Sequence, residues 1–336
     1  MKAFTLKNPT SLAQAIEILG ARTQGAARGS HGKLQVLAGG QDLLTEMKEH
    51  LVEPEVLVNL KGIGGLDAIQ FDAQGALSIG ALATLTSLEE HEGVRSKLPM
   101  LAEAARSIAS PQIRSVGTVG GNLCQRPRCW YYRNEHAKCL KKGGSECFSY
   151  SGLNKYNAIL GGGPSYIVHP SDLAPALVAL EARATLRGPA GEREVPLERF
   201  FTLPTEGSVL RENVLAEDEI LVRVTVPAPA AGMRGTYLKF KERGSFDFAL
   251  ASVAVGVAIE GGKISKARLV LGGVAPIPWR APEAEAALVG QAMGDTAWKA
   301  AGEAAVRGAE PLAHNAYKVP LAKGLVFRAL QSLSRA

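Results

Sequence analysis

The sequence predicts an α+β protein of two globular domains or three. Strand-like and helix-like segments alternate in its first part, three strand-like runs precede helical segments near its end, and a Pro-Ala-rich stretch at 227–232 separates the two parts. Of the 336 residues 46% are apolar, so the chain can bury a sizeable core, which excludes a disordered or fibrous protein. We place the main domain boundary at 227–232.

The first elements predict a compact strand–helix–strand unit. A capping-box pair precedes residues 12–20, whose apolar side chains fall on one helical face. After a glycine-rich loop come a buried strand at 34–38, a helix at 43–51 and a second strand at 56–60.

The later segments continue the mixed pattern. Residues 66–82 predict a hairpin, 99–109 a helix, 173–180 a second helix and 182–197 another hairpin. Beyond the linker, strands are expected at 236–241, 249–259 and 263–271, followed by helices to the C-terminus.

Charge and hydropathy exclude two classes of partner. The net charge is +6, but the 38 basic residues are interspersed with 32 acidic ones, and no basic run or basic-aromatic alternation is present. We therefore expect no nucleic acid as a partner. The N-terminus lacks the apolar segment of a signal peptide, and no apolar run is long enough to span a bilayer, so we expect no membrane insertion and no export signal of the chain's own.

Two glycine pairs are candidates for binding a diphosphate. Gly39-Gly40 lies between a predicted strand and helix, and Gly120-Gly121 lies in a predicted loop beside Thr118 and Asn122, whose side chains can donate hydrogen bonds. The Rossmann spacing of glycines is absent, so each pair is also compatible with a simple tight turn. Together the two pairs indicate one extended dinucleotide held from both sides.

All four cysteines fall in a window of 24 residues, 124–147, with the spacing C-x4-C-x9-C-x7-C. Structural zinc sites usually use two tight cysteine pairs, whereas a cubane presents four separated iron corners, so the spacing favours an iron–sulfur cluster over zinc, disulfides or free thiols. Six basic residues face two acidic ones in this cysteine window, which would offset an anionic cluster. His136 is more simply a solvated loop residue than a ligand.

Two other segments have plain structural interpretations when taken alone. Asp172 stands at the predicted start of a helix, where an aspartate commonly caps the first turn. Lys239 and Arg243 precede a long apolar strand and are expected at a solvated strand end. No serine–histidine–aspartate arrangement, zinc-protease motif or P-loop is recognisable, so the sequence indicates electron carriage rather than acid–base catalysis.

Five motifs occur in an order that resembles the FAD-binding medium subunit of the xanthine dehydrogenase and carbon monoxide dehydrogenase family. They are Ala-Gly-Gly-Gln-Asp-Leu-Leu at 38–44, Gln-Ile-Arg-Ser-Val-Gly-Thr-Val-Gly-Gly-Asn-Leu at 112–123, His-Pro-Ser-Asp-Leu at 169–173, Ser-Phe-Asp-Phe-Ala at 245–249 and Leu-Gly-Gly-Val at 271–274. The resemblance runs over nearly the whole chain.

The resemblance implies a p-cresol-methylhydroxylase-type FAD-binding fold over 1–226, with subdomains at about 1–61 and 62–226. A flavoprotein C-terminal α+β domain, like that of carbon monoxide dehydrogenase, would occupy 233–336. The cysteine window looks like that of the [4Fe-4S]-bearing variants, such as the FAD subunit of periplasmic aldehyde oxidoreductases.

The resemblance also implies the site residues. The FAD diphosphate would be cradled by Gln35, Val36, Leu37, Ala38, Gly39, Gly40, Gln41, Asp42, Leu43 and Leu44 and by Thr118, Gly120, Gly121, Asn122 and Leu123. Ala81 would touch the FAD through its backbone, Asp172 would hydrogen-bond it, and Lys239 would lie near the flavin.

The expected cluster ligands are Cys124, Cys129, Cys139 and Cys147. In a relative of this kind a fourth cysteine is expected just before the His-Pro-Ser-Asp segment, where this chain has Tyr166, so Cys124 would have to replace it.

The implied function is electron transfer in a heterotrimer. A large subunit with a molybdenum cofactor would oxidise the substrate, and a small subunit with two [2Fe-2S] centres would pass electrons to FAD on this chain. An aldehyde oxidoreductase is favoured over a 4-hydroxybenzoyl-CoA-reductase-like or xanthine-dehydrogenase-like enzyme. Rival interpretations are a stand-alone flavin oxidase of the vanillyl-alcohol-oxidase type and a zinc-stabilised interaction module. The location would be cytoplasmic, or periplasmic if a partner subunit carries an export signal.

Overall fold

The computed structural model describes residues 1–20 and 34–334. The glycine-rich loop expected after the first helix lies outside the described residues. Within the described part, a small parallel sheet, a five-stranded antiparallel sheet and a four-stranded antiparallel sheet follow one another along the chain. The α+β fold class is therefore confirmed.

The N-terminal unit is a parallel sheet covered by two helices. Its elements in chain order are β1 (Thr5–Lys7), α1 (Leu12–Gly20), β2 (Leu34–Leu37), α2 (Leu43–Lys48) and β3 (Val56–Asn59). The strand β3 lies in the centre and pairs in parallel with both neighbours, as the predicted strand–helix–strand unit requires. The apolar stripe on α1 is buried through Ala15, Ile16 and Leu19.

The second unit is an antiparallel sheet with helices packed on it. Its strands are β4 (Ile69–Phe71), β5 (Leu77–Gly80), β6 (Arg183–Gly188), β7 (Gly191–Pro196) and β8 (Ile220–Val226), in the spatial order β4-β5-β8-β6-β7. Its helices are α3 (Leu85–Glu90), α4 (Glu92–Lys97), α5 (Pro99–Ser107), α6 (Pro111–Arg114), α7 (Val119–Leu123) and α8 (Leu173–Ala179).

Both hairpins predicted in this unit are confirmed. The strand β8 was not among the predicted elements, although its alternating run Ile-Leu-Val-Arg-Val-Thr-Val is typical of a strand. It inserts between the two hairpins and joins them into one sheet. The loop expected around Gly120-Gly121 is wrong, because residues 119–123 form the short helix α7.

The C-terminal unit packs three helices on an antiparallel sheet. Its strands are β9 (Arg234–Phe240), β10 (Ala251–Glu260), β11 (Lys263–Gly272) and β12 (Trp279–Arg280), and its helices are α9 (Pro282–Leu288), α10 (Asp295–Ala305) and α11 (Lys318–Ser334). The strands predicted from the three runs are confirmed as β9, β10 and β11. No helix in the described ranges combines the length and the apolar character needed to cross a bilayer.

The second and third units pack against each other through a common buried cluster. Tyr237 of β9 and Ala254 of β10 belong to the same buried cluster as the helices of the second unit. Glu103 of α5 accepts hydrogen bonds from the hydroxyl of Thr236 and the backbone N–H of Tyr237, at 2.9 and 2.8 Å. The strand β9 is therefore fixed against the second unit. This contact brings Lys239 to the candidate functional site.

Candidate functional site

A long groove with a volume of about 730 Å³ runs between the units. Both glycine pairs predicted from the sequence lie on its wall, and so do Lys239 from the C-terminal unit and residues 246–248. A pocket of this volume falls within the range of known cofactor sites.

The first glycine turn needs its glycine because the backbone packs closely there. A Cβ atom on Gly39 would lie 2.4 Å from the carbonyl oxygen of Val116, so any larger residue would force the turn and the 116–117 segment apart. Gly40 has a φ of +73°, which favours glycine. The two glycine-rich segments are therefore in direct contact and form one continuous wall.

The second glycine turn is held by its own helix and by Ala81. The Thr118 hydroxyl accepts a hydrogen bond from the Gly121 N–H at 3.1 Å and so caps α7. A Cβ atom on Gly120 would lie 2.9 Å from the Cβ atom of Ala81. The carboxamide oxygen of Asn122 accepts a hydrogen bond from the Ser171 hydroxyl at 2.5 Å. These contacts fix the backbone that borders the groove.

Most of the site residues predicted for FAD line the groove. The ones that do are Gln35, Val36, Ala38, Gly39, Gly40, Gln41, Asp42, Leu43, Ala81, Thr118, Gly120, Gly121, Asn122, Asp172 and Lys239. Three predicted leucines are not part of its lining: Leu37 and Leu44 pack beside a small core cluster, and Leu123 is fully buried in the largest one.

Asp42 lines the groove and also binds residues of the cysteine window. Its carboxylate accepts a hydrogen bond from the backbone N–H of Arg126 at 2.6 Å and forms ion pairs with the guanidinium groups of Arg128 and Arg133, each at 2.7 Å. These three arginines also line the groove. The first glycine turn and the cysteine window are therefore joined at one carboxylate.

A buried network continues from this carboxylate. The Tyr132 hydroxyl donates to Glu46 at 2.7 Å, and the Nε of Arg126 donates to the Tyr132 oxygen at 3.0 Å. Arg126 and Lys141 both pair with Glu212, at 3.2 and 2.7 Å. Burial raises the pKa of Glu46, with the nearby Asp42 adding to the effect. The network fixes the cysteine window against helix α2.

This arrangement corrects the charge argument made from the sequence. Arg126, Arg128, Arg133 and Lys141 pair with Asp42 and Glu212, which lie outside the cysteine window. These two carboxylates therefore hold the four cationic groups in place and balance part of their charge. The partners of the arginines are more than 80 residues away in sequence, so spacing within the window gave no sign of them.

Elsewhere on the groove wall, Asp172 and Lys239 form a buried ion pair at 2.7 Å. Asp172 also accepts a hydrogen bond from the Tyr237 hydroxyl at 2.7 Å, and Lys239 donates to the Ser107 carbonyl at 3.1 Å. Two expectations are wrong here: Asp172 does not cap α8 through its side chain, and Lys239 is not solvated. Burial, with the Asp172 charge, raises the pKa of Tyr237 well above its ordinary value.

The four cysteines do not share one environment. Cys124 lies on the groove wall directly after α7, whereas Cys129 lines a second cavity of about 320 Å³ beside the groove. Burial raises the pKa of the Cys129 and Cys139 thiols, with smaller contributions from the charges of Cys147 and Cys129 respectively.

The fit of these residues to a four-cysteine cluster is incomplete, because Cys124 lines the groove whereas Cys129 lines the neighbouring cavity. In the described ranges, no three His, Cys, Asp or Glu side chains are grouped so that they could hold a metal ion. The expected four-cysteine ligand set stays a prediction.

The groove, by contrast, fits a dinucleotide. Its two glycine turns allow close backbone approach, its wall carries arginines, and one end holds a buried lysine. This combination defines a dinucleotide-binding protein with a mixed α/β architecture and no Rossmann motif.

Comparison with known proteins identifies the family to which this dinucleotide-binding protein belongs. Residues 2–229 match the family model for the FAD-binding domain in molybdopterin dehydrogenase, and residues 236–333 match that for the carbon monoxide dehydrogenase flavoprotein C-terminal domain. The chain therefore belongs to the family of FAD-binding medium subunits of the xanthine and carbon monoxide dehydrogenases, whose members are oxidoreductase subunits.

Two relatives cover nearly the full length. The chain is 36% identical over 328 residues to the FAD-binding subunit of an aldehyde oxidoreductase of Escherichia coli, covering 96% of each chain. It is 33% identical to the carbon monoxide dehydrogenase medium chain of Hydrogenophaga pseudoflava, covering 98% of this chain and 96% of that one.

The fold agrees with solved structures of such enzymes. A chain of carbon monoxide dehydrogenase from Hydrogenophaga pseudoflava superposes with a TM-score of 0.76 at 32% identity, covering 98% of this chain and 96% of the other. A chain of quinoline 2-oxidoreductase from Pseudomonas putida gives 0.75 at 25% identity, covering 99% and 98%. The family resemblance drawn from the motifs is confirmed.

Proposed function

We propose that this chain is the FAD-binding electron-transfer subunit of a heterotrimeric molybdenum hydroxylase that oxidises aldehydes. The observation that carries the proposal is the groove, where two contacting glycine turns and a buried lysine line a space of about 730 Å³. The aldehyde class is supported by the 36% identity to the aldehyde oxidoreductase subunit, which extends over 96% of the chain.

When bound, FAD would supply the step between one-electron donors and an external acceptor. The backbone around Gly39 and Gly120 would approach the diphosphate, and Arg126, Arg128 and Arg133 would place positive charge along the groove. The Lys239–Asp172 pair would hold a fixed ammonium group at the end where the flavin is expected. The chain's own residues thus bind and orient; no acid–base residue is required.

The partners we propose are a large subunit with a molybdenum cofactor and a small subunit with two [2Fe-2S] centres. Cytoplasmic residence, or export together with a partner, belongs to the same proposal. The domain boundaries at 1–226 and 233–336 also remain proposals, with the first unit divided near residue 61.

We further propose that the cysteine window holds an iron–sulfur cluster of the [4Fe-4S] type. The confinement of all four cysteines to residues 124–147 supports it, since their spacing favours such a cluster over zinc. The cluster would require thiolates, which cations stabilise. We assign no step of the electron transfer to it.

The test is anaerobic reduction of the purified complex. Addition of an aldehyde should bleach the flavin absorption band in the heterotrimer and leave it unchanged in this chain alone with FAD. Bleaching by xanthine but not by aldehydes would replace the aldehyde assignment with the xanthine-dehydrogenase-like alternative. Bleaching in the isolated chain would overturn the subunit role in favour of a stand-alone oxidase.

A further inference from the structure

The second cavity, of about 320 Å³, is separate from the space that we assign to FAD. It lies beside the groove and shares part of its wall, including Asp172, Phe246 and Phe248. Asp172 is the carboxylate that pairs with Lys239, near which we expect the flavin. A molecule held in the second cavity would therefore lie beside the flavin without occupying the FAD groove.

Aromatic side chains form much of the wall of the second cavity. Trp130 and Tyr156 meet edge to face, with their ring centroids 5.3 Å apart, and Phe246 and Phe248 belong to the same wall. Trp130 and Phe246 are each more than half exposed, so their rings are accessible to a ligand. Such a wall favours a planar ring as ligand. The volume is at the lower end of the range for ligand pockets, which fits one small ring system rather than a dinucleotide.

The charges that line the second cavity are already paired. Among the described residues, three cations line it, and each forms an ion pair with a carboxylate, at 2.7 or 3.2 Å. The carboxylates that line the cavity beside them would repel the phosphates of a nucleotide. The lining therefore favours a neutral ligand. The pairs are Arg128 with Asp42, Lys155 with Glu242, and Arg243 with Asp247.

Paired cations can still hold the oxygen atoms of a neutral ligand. An ammonium group carries three N–H donors and a guanidinium group five, and one ion pair uses only part of them. The carbonyl oxygens of a ring can therefore accept hydrogen bonds from Lys155 or Arg243 without needing an unpaired charge. Aromatic walls together with N–H donors suit a quinone.

We infer that the second cavity binds the external electron acceptor of the flavin, and that this acceptor is a neutral quinone. The inference rests on the proposed function, because it names the acceptor of the same flavin. A bound quinone would take two electrons and two protons from reduced FAD, so that its two carbonyl groups become hydroxyl groups and FAD returns to its oxidised form.

The first test is calorimetric titration of menadione, a naphthoquinone, into the oxidised complex. No aldehyde is present, so the heat reports binding alone. Trp130→Ala should weaken the binding about tenfold, because it removes a ring from the wall. Phe240→Ala is the matched control, since it truncates an exposed aromatic residue that lines neither the groove nor the second cavity, and it should bind menadione as the wild type does. Equal affinities in all three proteins would overturn the inference.

The second test is anaerobic reoxidation of the aldehyde-reduced complex, followed by the return of the flavin absorption band. The rate should saturate with menadione concentration, and the half-saturating concentration should be about tenfold higher in Trp130→Ala and unchanged in Phe240→Ala. A wild-type rate that rises linearly with menadione, or faster reoxidation by NAD, would overturn the inference.

Failure of this inference and failure of the proposed function give different results. A complex that holds FAD and is bleached by aldehydes but binds no menadione would overturn the acceptor site and leave the proposed function intact. A complex without FAD would refute the proposed function, whereas menadione binding that depends on Trp130 would still establish the second cavity as a site for a neutral ring.

Discussion

Asp42→Asn is the substitution that most sharply tests how the groove is held together. The carboxylate is 17% exposed and binds the Arg126 N–H and the Arg128 and Arg133 guanidinium groups. An amide keeps the shape and an acceptor oxygen but removes the charge that faces these cations.

The expected loss in the free energy of unfolding follows from the burial of the ion pair between Asp42 and Arg133. The Arg133 side chain is only 13% exposed. Removing one partner of a buried ion pair costs about 3–5 kcal/mol, and the remaining acceptor of the amide favours the lower end, about 3 kcal/mol. Once the cysteine window is no longer docked, FAD binding must reorder it, so the Kd should rise at least about tenfold.

The assay is denaturant unfolding together with titration of FAD into the apoprotein. Asp67→Asn, at an exposed aspartate, is the control and should change stability by less than about 0.5 kcal/mol. A double-mutant cycle with Arg133→Gln separates two explanations. Strong non-additivity is expected if Asp42 acts through the arginine. Additive effects on the Kd, or behaviour like the control, would show that Asp42 does not act through Arg133.

Three further outcomes are expected. Gly39→Ala should abolish FAD retention, because its Cβ would lie 2.4 Å from the Val116 carbonyl oxygen, whereas Gly64→Ala, with open space around it, should retain FAD; equal flavin content would contradict this. Lys239→Met should destabilise the fold by about 3 kcal/mol and weaken FAD binding, since it leaves the buried Asp172 carboxylate without its cation. An unchanged unfolding curve would show that this ion pair does not stabilise the fold. In His169→Gln the free energy of unfolding should fall less than in the wild type as the pH is lowered from 6.5 to 4. Denaturant titration at each pH measures this.

The sign of the His169 effect follows from its burial, which lowers its pKa from 6.5 to about 4. Between these values the unfolded chain binds the proton and the folded chain does not, so stability falls as the pH is lowered through this window. The contribution is about 3 kcal/mol, present above pH 6.5 and lost by pH 4. A wild-type curve without acid sensitivity in this range would contradict the assignment.

The sequence allowed the secondary structure and the groove wall to be predicted because both depend on local patterns. The helical stripe of residues 12–20, the strands β2 and β3 and the glycine pairs are each visible in a short window. The strand β8 had an equally clear alternating pattern, and reading that pattern would have revealed how the two hairpins join.

The contacts across the groove could not be predicted from local sequence patterns. Asp42 and Arg133 are 91 residues apart, and Asp172 and Lys239 are 67 apart, so only the packing of the three units brings each pair together. The same reason explains why the basic residues of the cysteine window were first assigned to an anionic cluster. Four of these six side chains reach Asp42 and Glu212 instead: Arg126, Arg128, Arg133 and Lys141.

The most direct test of the account is the FAD content of the purified wild-type complex, measured after denaturing release and compared with that of the Gly39→Ala variant. About one FAD per chain is expected in the wild type, and almost none in the variant, because the glycine turns form the groove wall. A wild-type complex without FAD, or a Gly39→Ala complex with full FAD content, would contradict the assignment of this groove as the flavin site.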